Sequence, residues 1–155
     1  ETLTEHLKKS NNPVHLKNTA KTEEGRHFFT KEDCRSITDN LMKTADKTTG
    51  GFGKAPKFPQ TFSINCLLQA GYFLKDEKAL AHAELSLTKM LHGGIYDQLA
   101  GGLCRYSTDA EWLAPHFEKM HYDNALVILH ISNAYLFTRT EGYKKHIEHS
   151  YNVIV

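Results

Sequence analysis

The chain has little that would staple it, carry it across a bilayer or hold a polyanion. Its 155 residues include three cysteines, Cys34, Cys66 and Cys104, an odd count with no C-x-x-C spacing. That argues against a disulfide framework, a zinc knuckle and a self-contained dithiol redox site. A reducing compartment is the simplest setting, so a cytoplasmic location is expected. Charge of one sign is scarce too. Nineteen Lys and Arg stand against 18 Asp and Glu, a formal net charge of +1. With no basic excess there is no footprint for nucleic acid or an anionic membrane. No apolar run reaches the roughly 18 residues of a membrane span; the longest, Ala125 to Ile131, is broken by His130. The opening ETLTEHLKKSNN is too polar for a signal peptide and starts on Glu1 rather than Met, as expected of an excised piece of a longer chain. Phosphate-cradling patterns are missing: the glycine clusters at 50–53 and 93–102 fit neither G-x-x-x-x-G-K-[ST] nor G-x-G-x-x-G. His116-x-Glu118 and His146-x-x-His149 match no zinc pattern, and there is no serine nucleophile elbow. No metal and no cofactor are expected.

What remains is ordinary globular material, 40% hydrophobic and 24% charged. Residues 1–10 pattern as a short amphipathic helix and 11–29 as a polar linker. Helical spacing then predicts a helix over about 31–46, entered from Thr30 and stopped at Gly50-Gly51. The stretch 50-GGFGKAPKFPQ-60 is loop. Helices follow at about 61–75, capped by Thr61, with Phe62, Leu67, Leu68, Tyr72 and Phe73 inward, and at about 77–92. A second glycine-rich stretch, 93–109, contains a short strand near Leu103 to Ser107. Pro115 suits a helix first turn, predicting a helix over about 115–138. Its segment 125–137 is apolar nearly all round and is expected to be buried on both faces. His130 reads as a satisfied core histidine. A last helix is expected over 141–155.

The chemistry-bearing residues concentrate in 105-RYSTDAEWLAPHFEKMHYDNA-125. Acids, a base, an aromatic platform and a cation at a helix start are what a polar-ligand pocket needs. Trp112 is a stacking surface for a sugar, and Arg105 a clamp for a carboxylate or hydroxyl. The other reading is a plain helix start, with Glu118 offsetting the dipole. Asp123 leads the apolar helix; it either takes part in catalysis or caps a loop by accepting backbone N–H groups. Cys104 beside Arg105 is either an activated thiol or a small packed residue.

Two blocks go beyond composition: 50-GGFGKAPKFP-59 and 94-GIYDQLAGGLCRYSTDAEWLAPHFEKMHYDNA-125. In length and order they resemble the thioredoxin-domain-containing proteins related to spermatogenesis-associated protein, the DUF255 family. The resemblance implies a thioredoxin-like domain followed by an (α/α)6 toroid similar to N-acylglucosamine 2-epimerases and six-hairpin glycosidases. This chain matches the opening of the toroid only, over about 30–155, with 1–29 as N-terminal helix and linker. The fold implied is all-α: antiparallel helical hairpins in a partial α/α toroid, with at most a short β-hairpin near 95–107. Loops 50–59 and 93–114 would face the toroid mouth. Tyr96, Asp97, Arg105, Tyr106 and Trp112 would there bind substrate, and His116, Glu118 and Asp123 would carry acid–base chemistry. The first functional expectation is a carbohydrate-like substrate, epimerase- or glycosidase-like by resemblance, with the fragment alone inactive. The second is a non-catalytic interaction or structural module supporting a thiol-redox domain. The third is a redox role supplying substrate to that domain. The partners expected are a small carbohydrate, the thioredoxin-like domain of the same parent chain and a second copy of the truncated toroid, with neither nucleic acid nor membrane. Convergence of Trp112, His116 and Glu118 on an open cavity would mark the first reading, burial of Arg105, His116 and Asp123 the second, and an exposed low-pKa Cys104 the third.

Overall fold

The computed structural model describes residues 30–152, so the helix expected at 1–10, the linker to 29 and the last three residues lie outside the described part. Five helices appear there in chain order: α1 (Lys31–Lys43), α2 (Thr61–Leu74), α3 (Glu77–His92), α4 (His121–Thr138) and α5 (Gly142–Tyr151). The only sheet among the described residues is a pair of two-residue strands, β1 (Tyr106–Ser107) and β2 (Pro115–His116), antiparallel with Tyr106 opposite His116. The all-α class and the helical-hairpin arrangement hold, with α2 packed against α1, α3 and α4, and α4 against α5.

The boundaries follow from local chemistry. Helix α1 ends at Lys43, earlier than its periodicity suggests, because Asp46 collects the next N–H groups: its Oδ1 accepts from Thr48 and Thr49, and its carbonyl accepts from Gly50. Thr61 is the first helical residue of α2 rather than its cap; the cap position is Gln60, in the left-handed region at φ 45°. Asp76 caps α3 through the N–H groups of Lys78 and Ala79. Between α2 and α3, Gly71 permits a close crossing: a Cβ there would lie 2.6 Å from the Cβ of Leu80. Helix α4 does not begin at Pro115. That proline sits in β2, and the helix starts six residues later, at His121.

The core is built from Ile64, Leu67 and Leu68 of α2, Ala83, Leu87 and Met90 of α3, and Val127, Ile131 and Ala134 of α4, closed by Phe52, Ile95, Leu103 and Trp112 from the loops. Two expectations of burial fail. Phe62 is 72%, Phe73 70% and Tyr72 45% exposed on α2, and Leu129 and Leu136 of α4 are also exposed. The apolar all-round character of α4 is therefore covered on one side only by the described residues. His130 is buried as expected, yet neither ring nitrogen has a hydrogen-bond partner; burial lowers its pKa, so the ring is held neutral.

Candidate functional site

Two glycine-rich connections, 44–60 between α1 and α2 and 93–120 between α3 and α4, lock into one another through a buried lysine. Lys57 is fully buried. Its ammonium donates to Asp46 Oδ2 at 2.7 Å, Thr49 Oγ1 at 2.6 Å and the Ala110 carbonyl at 3.0 Å. All three protons are used. The same ammonium lies 5.2 Å from the ring centroid of Trp112, whose indole N–H donates to the Thr49 carbonyl at 2.8 Å. Burial alone would raise the Asp46 carboxyl, but hydrogen bonds from Lys57, Thr49 and Thr48 outweigh it and hold the group far below the usual carboxylate range. Glycine is required where this junction is tightest. Gly51 has φ +71°, and a Cβ on it would come within 2.5 Å of the Trp112 ring. Gly51 is pinned from behind by α3: its N–H donates to Ser86 Oγ and its carbonyl meets His82 Nε2 at 3.0 Å.

Three more side chains set the shape of the second connection. Asp97 accepts from the Leu99 and Ala100 N–H groups and pairs with Lys119 at 2.7 Å. Hydrogen bonds from the Ala100 N–H, Lys119 and the Leu99 N–H hold its pKa down at about 2. Asp109 accepts from the N–H groups of Glu111, Leu113 and Ala114. Asn124, at the start of α4, grips both polar atoms of the Leu103 backbone, accepting from its N–H at 2.6 Å and donating to its carbonyl at 3.0 Å.

On this scaffold stands an exposed rim. Lys57 and Ser107 exchange backbone hydrogen bonds at 2.8 Å in both directions, which joins the first connection to β1. Phe58 thereby packs tilted against Tyr106, with centroids 4.9 Å apart and 35° between planes, and Tyr106 stacks on His116 at 4.8 Å and 20°. One step along, the Arg105 N–H donates to the Glu118 carbonyl at 2.7 Å, and the Arg105 guanidinium meets Glu118 Oε2 at 3.0 Å. His116 and Glu118 are both exposed, and Phe117 between them is 84% exposed. Asp123, half-buried in the first turn of α4, feels the Arg105 charge; burial raises its carboxyl pKa and Arg105 opposes part of that rise.

Of the eight residues singled out from sequence, the structure brings five to this rim: Arg105, Tyr106, His116, Glu118 and Asp123. Three are elsewhere. Trp112 is sealed under Lys57 at φ 66°, so its ring is no exposed platform. Tyr96 is buried, with its hydroxyl against His149 and Ser150 of α5. Both carboxylate oxygens of Asp97 serve its own loop and Lys119. The loop-capping role weighed for Asp123 belongs to its neighbour Asn124. Glu118 precedes α4, whereas Asp123 lies in its first turn. Cys104 is buried, and burial raises its thiol pKa, the opposite of an activated nucleophile. Sequence reading passed over Lys57, Phe58, Asp46 and Asn124. Lys57 and Phe58 sit inside the glycine–proline block itself, the one signal that could have marked them.

No family model matches the chain. It is similar to an uncharacterised protein of Caenorhabditis elegans, 35% identical over 122 residues, and to human spermatogenesis-associated protein 20, 38% identical over 104 residues. The chain spans 17% and 13% of the lengths of these curated relatives. Among solved structures it resembles a cellobiose 2-epimerase of Bacillus thermoamylovorans, with a TM-score of 0.67 at 18% identity, covering 79% of this chain and 36% of that one. It also resembles a D-mannose isomerase, with a TM-score of 0.63 at 19% identity, covering 83% and 36%. Likeness at such low identity speaks to fold. By sequence and fold together, the chain belongs to the spermatogenesis-associated protein family, as a segment of an epimerase-like α/α toroid.

Proposed function

We propose that the exposed rim binds a carbohydrate, and that the whole protein processes a sugar-like substrate there. The observation that carries this is the Phe58–Tyr106–His116 ladder standing beside the Arg105–Glu118 pair and Asp123. The apolar face of a pyranose stacks on such rings, while its hydroxyls accept hydrogen bonds from a guanidinium and donate to a carboxylate. His116 is an exposed imidazole, and Asp123 is a carboxyl whose burial favours the protonated form. Between them they offer a proton acceptor and a proton donor, the equipment for moving a proton at a substrate carbon. Solved structures sharing this fold, a sugar epimerase and a D-mannose isomerase among them, support the substrate class. In this reading the thioredoxin-like domain implied by the sequence resemblance is a partner within the same parent chain. The engagement of Trp112, Tyr96 and Asp97 in internal contacts favours a second reading, a structural module whose motif residues serve the fold.

Saturation-transfer NMR with glucose, mannose and cellobiose separates the two. Transfer from the chain that is lost in Tyr106→Ala, with the helical signal intact, is the expected result. A folded chain giving no transfer to any of the three sugars, or equal transfer from Tyr106→Ala, overturns the proposal and leaves the module.

A further inference from the structure

Away from the rim, a cavity of about 630 Å³ opens between the C-terminal end of α3, the loop after it and α5. It is lined by three histidines, His92, His146 and His149, together with Tyr96, Lys145 and Glu148. Their hydrogen bonds show which nitrogens are free. The Leu99 carbonyl can only accept, so His149 carries its proton on Nε2, 3.0 Å away, and its Nδ1 accepts from the Tyr96 hydroxyl at 3.2 Å. His149 is thus fully used and forms the floor. His92 donates from Nδ1 to the Thr88 carbonyl at 2.8 Å, which leaves Nε2 open. His146 makes edge-on ring contacts with His92 at 5.9 Å and with Tyr96 at 5.0 Å. Among the described residues neither His146 nor Lys145 has a hydrogen-bonded partner. Two open imidazoles and an uncommitted ammonium therefore converge on one cavity. The three histidines do not form a metal site: no cluster of three or more suitable ligands exists among the described residues.

We propose that this cavity is a proton-linked phosphate site, taking inorganic phosphate or the phosphate of a small monoester through His92, His146 and Lys145. The chemistry is matched. A phosphate's second proton and an imidazole's proton leave near the same pH, so the bound dianion draws protons onto both rings. Without a ligand the opposite holds: burial, then the nearby His92, Lys145 and His149, lower the pKa of His146 and keep it neutral. The charged groups facing His146 are His92 from α3, and Lys145, Glu148 and His149 from its own helix; Tyr96 faces it from the loop. Glu148 is the one group that opposes an anion, and that gives the site a signature of its own. A cavity this size exceeds a bare phosphate and leaves room for the body of a monoester.

The test is calorimetric titration of the chain with inorganic phosphate and with glycerol phosphate, read beside the imidazole NMR signals. Expected are shifts of His92 and His146, net proton uptake, and affinity falling by up to about tenfold per pH unit above neutrality for one linked proton. Tighter binding of the ester than of phosphate identifies a monoester as the natural source; equal binding identifies the free ion. His92→Asn changes an exposed side chain and so keeps the fold; it and Lys145→Gln should each weaken binding several-fold, whereas Glu148→Gln should tighten it. Absence of His92 and His146 shifts at millimolar phosphate overturns the proposal. So does affinity untouched by His92→Asn and Lys145→Gln. Neither result bears on the sugar reading of the rim, which shares none of these residues.

Discussion

Lys57 and Phe58 are consecutive, yet the first is buried over the Trp112 ring and the second packs in the open against Tyr106. The two regions they belong to are made of the same materials: a cation, carboxylates and aromatic rings. In the junction every polar atom is spent inward. The Lys57 ammonium has three acceptors, the Asp46 carboxylate takes two N–H groups as well as the lysine, and the indole N–H has its carbonyl. In the rim, Arg105 and Glu118 keep nearly half their side chains in water and bind only each other. A buried polar network is stabilising when it is complete and costly when one member is lost. A solvated pair contributes little to stability and keeps its bonding capacity for a ligand. The junction is therefore scaffold, and the rim is where the proposed sugar binding is to be tested, although a sequence search for charged and aromatic residues weights them equally.

The harshest test of that distinction is Lys57→Met. It removes the cation and leaves Asp46 and the Thr49 hydroxyl facing a thioether. Breaking one side of a buried pair costs about 3–5 kcal/mol. The lower end is expected because the Asp46 side chain keeps 23% of its exposure. Urea denaturation should show the loss, and the two glycine connections should exchange their amide protons faster. Unchanged stability would mean that the lysine does not hold them together.

A smaller effect separates backbone strain from crowding. Gly51 and Gly53 share a positive φ, +71° and +72°, but a Cβ on Gly51 would strike Trp112 whereas one on Gly53 meets nothing within 4 Å. Gly53→Ala should cost about 1–2 kcal/mol for the left-handed backbone alone. Gly51→Ala should add about 1–3 kcal/mol of overpacking. Equal losses for the two variants would show that the Trp112 ring can yield.

The pH dependence of the loops comes next. Asp97 has its folded pKa lowered from 3.8 to about 2. A lowered carboxyl contributes stability that is present above its unfolded pKa and lost as pH falls through the folded one. The Asp97 contribution should thus vanish between about pH 4 and pH 2. Asp97→Asn keeps an acceptor for Leu99 and Ala100 but cannot titrate, so its acid denaturation curve should be flatter over that interval. An unaltered curve would show that Asp97 does not carry the acid sensitivity of this loop.

The sequence was legible where periodicity governs. Helices α2, α3 and α5 fall close to their expected spans, and the glycine blocks are the connections they were read as. It was less legible where one side chain overrides a pattern. Pro115 carries a helix-start signal, but Thr108 and the Ala114 carbonyl draw the chain into β2 instead. Trp112 looks like a ligand platform because large aromatics often are; nothing local reveals that Lys57, 55 positions earlier, will lie over its face. Asn124 and Asp123 could exchange roles without altering any pattern, and only the position of Leu103 decides between them. Long-range polar contacts of this kind have no period, whereas the local pairing of Tyr106 with His116 came within reach once both were placed in one cluster.

The smallest expected change in stability bears most directly on the rim. Arg105→Gln removes an exposed pair whose loss should cost less than about 1 kcal/mol, and less still in high salt. It should act on Asp123 instead. Burial raises that carboxyl and the Arg105 charge restrains it, so without the charge its titration should move further up. Carboxyl carbon NMR across the acid range would read the shift directly. An upward move with stability intact means that Arg105 sets the protonation of a neighbouring acid, as the proposed function requires. No move would separate Asp123 from Arg105 and remove the electrostatic link on which the proposed proton transfer at the rim relies.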